Sequence, residues 1–338
     1  MPYRPHPDAV RLTRRAAMLA AGAGVLTGFP AAAQPASPSP AAETGWTPGP
    51  SLPVPRSEFT AATLDGKIYV AGGFGAEQAF SRLDPATGTW TELASLPAPR
   101  HHLGLAALDN AIYAIGGHDA KNTATDTAWR YDLEDDAWRS LLSLPQGPRG
   151  ALGCAVLDGR ILTVGGSSGD LSGPATADVA AFDPVTGTWE TLPAMPTARE
   201  HLAVATVGGI LIAIGGRNGG QFDPKMDTAV ERYDPTSNGW TAGAALPDGR
   251  SGMGVATNAG SVVVLGGEGR SGIYDHVQRY DVAANVWSDL PSLPVARHGI
   301  AAATDPHSGL LYAIGGSTSA FTVSNTDAVD VLSLPPLA

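Results

Sequence analysis

Apolar residues come along this chain in short paired runs. Glu58 to Leu64 and Lys67 to Gly73 alternate or run apolar on either side of Asp65-Gly66. Asp-Gly between two such runs marks a two-residue hairpin. Leu108-Asp-Asn-Ala111 and Leu157-Asp-Gly-Arg160 repeat it, and Val207-Gly-Gly-Ile210 does so with other turn residues. A third strand follows each pair, for example Phe80-Ser-Arg-Leu83, Val179-Ala-Ala-Phe182 and Val277-Gln-Arg-Tyr280. Asp84 to Trp90 and Asp183 to Trp189 then read Asp-Pro-x-Thr-Gly-Thr-Trp. Asp and Pro start that turn, Gly tolerates positive φ, and the Trp opens a fourth strand. The pattern predicts units of four short antiparallel strands.

The unit is written six times. Glycine pairs fall at Gly72-Gly73, Gly116-Gly117, Gly165-Gly166, Gly215-Gly216, Gly266-Gly267 and Gly315-Gly316. Tryptophans recur at Trp46, Trp90, Trp138, Trp189, Trp240 and Trp287, and arginines at Arg56, Arg100, Arg149, Arg199, Arg250 and Arg297. All three series step by 44 to 51 residues. A period near fifty signals a propeller blade, which must stack on neighbours to bury its faces. The sixth unit ends at Ala338 without its Trp, while Gly45 to Pro53 matches Thr89 to Pro97. The missing strand is therefore expected from the N-terminal side.

These residues resemble the kelch family, with Gly-Gly closing the second strand, Tyr-Asp-Pro on the third and Trp on the fourth. The resemblance runs from Trp46 to about Leu334. It implies an all-β, six-bladed kelch-type β-propeller whose ring an N-terminal strand closes by completing the last blade.

Composition adjusts this picture at a few points. A net charge of −11 argues against nucleic acid or an anionic membrane as a partner by bulk electrostatics. The single cysteine, Cys154, lies in an apolar run and allows no intramolecular disulfide, so an inert thiol is expected. Arg4, Arg11, Arg14 and Arg15 precede an apolar stretch, Ala16 to Phe29, and the small residues Ala31 to Ala33. Residues 1–33 thus read as an export signal of twin-arginine or ordinary secretory type. Residues 34–44 read as a disordered Pro/Ala/Ser tether, 45–338 as the propeller, and the mature chain as a periplasmic or secreted monomer without stable membrane insertion.

Antiparallel strands put the start of strand one and the end of strand two at one end of a blade. Residues after each repeat arginine and after each glycine pair therefore share one mouth of the channel, and they do not repeat. Five histidines, His101, His102, His118, His201 and His298, fall in this set. The ligand-binding candidates are Glu58, His102, His118, His201, Arg217, Glu268 and His298, either as a site or as polar groups lining a solvent channel. Replacing His102, His201, Arg217 and Glu268 together with alanine is expected to leave stability nearly unchanged, because the mouth reads as solvent-exposed. The repeat arginines either bond carbonyls or form a cationic collar.

No cofactor and no metal are expected, and no catalytic residue is assigned. The copper-dependent kelch oxidases use a cross-linked Tyr-Cys, which has no counterpart here. The leading expectation is a binding module for a protein, peptide or glycan. The alternative implied by the resemblance is a cofactor-independent sugar epimerase like the sialic-acid mutarotases, using Glu58, Glu200 or Glu268 with Arg217 or Arg270. Convergence of a Glu and a non-repeat Arg in a closed pocket would favour the enzyme.

Overall fold

The computed structural model describes residues 45–219, 224–320 and 324–334, so the expected export signal (1–33) and tether (34–44) lie outside the described residues. The chain folds into six four-stranded antiparallel sheets. The first holds Thr60–Leu64, Lys67–Ala71, Phe80–Asp84 and Thr89–Glu92 in that order. The next four repeat this order. The last sheet runs Ala301–Thr304, Leu310–Ile314, Val329–Ser333 and then Trp46–Pro48, with Trp46 opposite Leu332. The sixth blade takes its outer strand from the other end of the chain.

The hairpin chemistry is as the residues dictate. Asp65 and Gly66 both hold positive φ (48° and 69°), as do Asp158 and Gly159 (50° and 70°). That pairing is a type I′ turn, whose twist matches the strands it joins. Buried apolar residues on neighbouring sheets then interlock, as where Ile68, Val70 and Leu83 of the first blade meet Tyr312, Ile314 and Val329 of the last.

Each repeat residue ties one blade to another. The indole N–H of Trp90 donates to the Pro50 carbonyl and that of Trp138 to Ala94, both at 2.9 Å. Trp46 makes the equivalent bond to Pro291 at 2.9 Å. The second glycine of each pair donates its N–H to the carbonyl of the next blade's arginine. Gly73 bonds Arg100, and Gly316 of the sixth blade bonds Arg56 of the first, both at 2.9 Å. A Cβ on Gly72 would lie 2.4 Å from the Arg100 carbonyl oxygen, so only glycine fits there.

The repeat arginines are at most 6% exposed. Arg149, Arg199 and Arg297 each send Nη1 to the carbonyl of the first glycine of the pair in their own blade (Gly165, Gly215, Gly315) and to one further carbonyl. The cationic collar is thereby corrected. These guanidiniums are consumed in holding strands, because a buried charge must be matched by the donors and acceptors around it.

Candidate functional site

Two residues after each repeat arginine the backbone turns left-handed. Glu58, His102, Ala151, His201, Gly252 and Gly299 all hold φ between 50° and 62°. The N–H of each donates to the carbonyl of its counterpart in the preceding blade, and Glu58 donates to Gly299, at 2.8 to 3.0 Å throughout. Six residues, one per blade, thus form a closed belt of hydrogen bonds across the channel.

Glycine adopts this conformation freely and two blades use it. A side chain there costs about 1 kcal/mol. Glu58, His102, Ala151 and His201 carry that strain, and three of the four are ionisable.

A second tier sits above the belt. The residue after each arginine bridges the residue after its glycine pair: Ser57 with Phe74, His101 with His118, Gly150 with Ser167, Glu200 with Arg217 and His298 with Ser317. Ser251 pairs with Glu268 in the same way. This one-to-one register brings all seven candidate residues to one mouth. It also adds His101 and Ser251 to them, together with Glu200, which the sequence offered only for the enzyme alternative. The signal was present, since two residues equidistant from a two-residue turn must face each other. Arg270 stands apart, exposed in the turn after Glu268.

Glu58 is the centre of the belt's chemistry. Its Oε2 lies 3.2 Å from His102 Nε2 and 3.7 Å from His201 Nε2, and its Oε1 lies 3.3 Å from His298 Nδ1. Burial would raise its pKa, but His102, His298 and His201 hold it well below the carboxylate range. His298 also directs Nε2 at the Ser319 carbonyl, 3.0 Å away. The Glu58 carboxylate on one side and this carbonyl on the other favour the protonated ring. Burial opposes that charge, yet Glu58 and then Glu268 raise the pKa to about 9.

Beside it runs an ionic chain. Arg217 donates Nε to Glu200 at 2.5 Å and Nη1 to Glu268, and His201 Nδ1 meets the other Glu200 oxygen at 2.7 Å. Burial works against the Glu200 charge, but His201 and Arg217 bring its pKa down to about 2. Arg217 is held above its ordinary value because Glu200 and Glu268 outweigh its own burial. Burial lowers His101 and takes His102 well below 6.5, while His118 falls to about 4 through burial and then the charges of His101 and His201.

The expectation that these groups are exposed is corrected. His118 is fully buried, His102 and Arg217 are 8% exposed, and the side chains of Glu58, His201, Glu268 and His298 are at most 16% exposed. Six blade edges crowd at the axis, so a polar residue there is enclosed even at a mouth. Below the belt the channel opens into a cavity of about 470 Å³. Cys154 lines it, partly buried among apolar neighbours that push its thiol up to about 12.

The His298 geometry fixes a pH dependence. A histidine raised from 6.5 to about 9 contributes stability in full below 6.5 and loses it as pH rises through 9. The melting temperature is expected to fall over that interval, and Glu58→Gln to flatten the fall because it removes the charge holding the proton. Identical slopes in the two proteins, measured by calorimetry in matched buffers, would refute the pairing. His118 acts oppositely, its lowered pKa reducing stability only below 6.5.

Comparison with known proteins agrees with this architecture. The KLHDC2/KLHL20/DRC7 Kelch-repeats domain matches residues 46–216, and the Kelch motif matches 198–247 and 249–294. Kelch-like protein 34 of Homo sapiens is 33% identical over 151 residues, covering 42% of this chain and 23% of its own length. Kelch-like protein 36 of Rattus norvegicus is 31% identical over 237 residues, covering 66% and 37%. The chain therefore spans well under half the length of these curated relatives. The solved structure of YjhT is similar in fold over 83% of this chain and 95% of its own, with a TM-score of 0.71 at 21% identity. Six repeats in register, six four-stranded sheets and these matches give one conclusion: the chain belongs to the kelch-repeat family.

Proposed function

We propose that this propeller is a binding module that takes a protein, peptide or glycan ligand at the belt and the tier above it. One observation carries the reading. The belt accepts glycine, as Gly252 and Gly299 demonstrate, yet four of its left-handed positions carry side chains, and three of those, Glu58, His102 and His201, are ionisable. Strained, ionisable residues gathered at one point of a symmetric scaffold serve recognition better than folding. Kelch domains are in general protein-interaction modules, which agrees with this use. The basic, apolar N-terminal stretch favours a role outside the cytoplasm.

The test separates binding from stability. His102→Gly with His201→Gly removes two buried imidazoles that face Glu58 and Glu200, so the melting temperature is expected to fall. Binding is therefore compared at a temperature where circular dichroism shows the variant folded. A thermal-shift screen across sugars, sugar acids, cell-wall fragments and peptides identifies the ligand on the unaltered protein. The double variant is then expected to lose binding at least tenfold. A control with Asp65→Asn and Asp158→Asn in the opposite turns should bind normally. Equal affinity in all three proteins would move the site away from this mouth.

A second reading has its own observation, the buried convergence of Glu200 and Glu268 on the non-repeat Arg217. Such a set could move a proton on an acidic sugar, as the resemblance to sialic-acid mutarotases implies. Against it, Arg217 already faces two carboxylates, so little of its charge is left for a substrate carboxylate. Exchange NMR on anomers of acidic sugars decides between them. Accelerated anomer exchange that Glu200→Gln abolishes would establish the enzyme.

A further inference from the structure

We propose that His101, His102 and His118 form a binding site for one divalent first-row transition cation, with Zn2+ and Cu2+ the best fits. All three residues belong to the second blade, where the bridge between His101 and His118 brings them together. Each offers a ring nitrogen, and these nitrogens lie within 4.8 Å of one another. Imidazoles without thiolate select this class of metal over Mg2+ or Ca2+, which take oxygen ligands.

Four details go beyond proximity. His101 Nδ1 and His102 Nδ1 share a hydrogen bond at 2.5 Å, which turns the two rings to one point although side chains of adjacent residues ordinarily diverge. The left-handed turn at His102 (φ 56°) redirects its ring toward its neighbour. On its far edge His102 presents Nε2 to Glu58 at 3.2 Å. A proton held there by the carboxylate makes Nδ1 the acceptor of the His101 N–H. A cation that replaces that shared proton would meet Nδ1 as a ligand atom, the tautomer that ligating histidines adopt.

His118 gives the strongest indication. It is completely buried, and neither ring nitrogen has a hydrogen-bond partner. Buried polar groups are ordinarily satisfied, so unmatched nitrogens beside two other imidazoles point to a missing partner. The third blade makes room for this ring. A Cβ on Gly150 would lie 2.0 Å from His118 Cε1 and 2.1 Å from Nδ1. Glycine is not demanded by the backbone at that position, whose counterparts include His101, Glu200 and Ser251. Its absence of a side chain serves the imidazole. Three protein ligands leave a fourth position for water or another donor.

The site shares His102 with the proposed ligand surface, but metal uptake is measured with no other ligand present, so its failure is distinguishable from failure of the binding reading. The full chain, carrying no polyhistidine tag and washed with chelator, is titrated with Zn2+ and Cu2+ by calorimetry. Titration with Co2+ is followed by its visible absorption, and bound metal is counted by mass spectrometry. One ion per chain is expected, with a Zn2+-dependent rise in melting temperature. His118→Ala should weaken binding about a hundredfold or more, and Gly150→Ala should weaken it by displacing the ring without deleting a ligand. Absence of stoichiometric uptake by the unaltered protein overturns the proposal whether or not the variants fold. So does undiminished uptake by a folded His118→Ala, or uptake that depends on His201 instead.

Discussion

Deleting Gly45–Pro53 is expected to abolish cooperative melting and leave an aggregating protein. The segment supplies the outer strand of the sixth blade, and Trp46 and Leu52 are 8% and 3% exposed. Burying a tryptophan removes roughly 150–250 Å² from water, worth about 4–6 kcal/mol, and a leucine adds about 2. That sum is comparable to the whole stability of many domains. Gly49 and Leu52 also donate backbone N–H groups to Val329 and Asp327 at 2.7 and 2.8 Å. Their loss opens an edge along Val329–Ser333 to any passing strand. Differential scanning calorimetry on the full and shortened chains checks this, with a synthetic 45–53 peptide added to the latter. A shortened chain that melts like the full one would remove the segment from the sixth blade.

The second large effect is expected at Arg199. It is completely buried, with Nη1 donating to the Gly215 and Ala229 carbonyls and Nη2 to Glu231 at 2.6 Å. Arg199→Leu leaves a buried carboxylate and two carbonyls unmatched, a loss of about 3–5 kcal/mol. Lysine should not rescue it, because a single ammonium cannot span the three acceptors as the planar fork does. Adding Glu231→Leu to Arg199→Leu should recover part of the loss, since the stranded charge goes with its partner. Urea unfolding of the four members of that cycle provides the measurement. A loss below 1 kcal/mol in Arg199→Leu would make the arginine a bystander.

Much of the fold was legible because each repeat residue does local work. Asp65-Gly66 announces its turn, Trp90 its strand, and the match of Gly45 to Pro53 with Thr89 to Pro97 placed the N-terminal strand. The mouth was legible too, since strand direction alone sends Glu58, His102, His118, His201, Arg217, Glu268 and His298 to one end. Their burial was not. Depth at the axis depends on how tightly six sheets crowd together, and no local pattern encodes that radius. The facing of His101 and His118 was not legible from strand direction alone, because it needs the hairpin register carried beyond the strands. Extended one residue past Arg100 and Gly117, it pairs His101 with His118. The role of the repeat arginines stayed open for a related reason. A buried guanidinium and an exposed one look alike in sequence, and only their carbonyl partners distinguish them.

The belt has an electrical consequence. Its six N–H to carbonyl bonds all point the same way around the channel, so their tangential dipoles circulate and sum to zero. A helix terminus presents a fixed partial charge to whatever approaches it. This loop has no head and no tail, and within its plane it presents none. Within that plane the potential over the mouth is therefore written by side chains, those at four of the six belt positions and those of the tier above. Exchanging a histidine for a glutamate there changes the sign of the local field while the backbone holding it is untouched. The same ring can thus be re-addressed to ligands of opposite charge without being refolded.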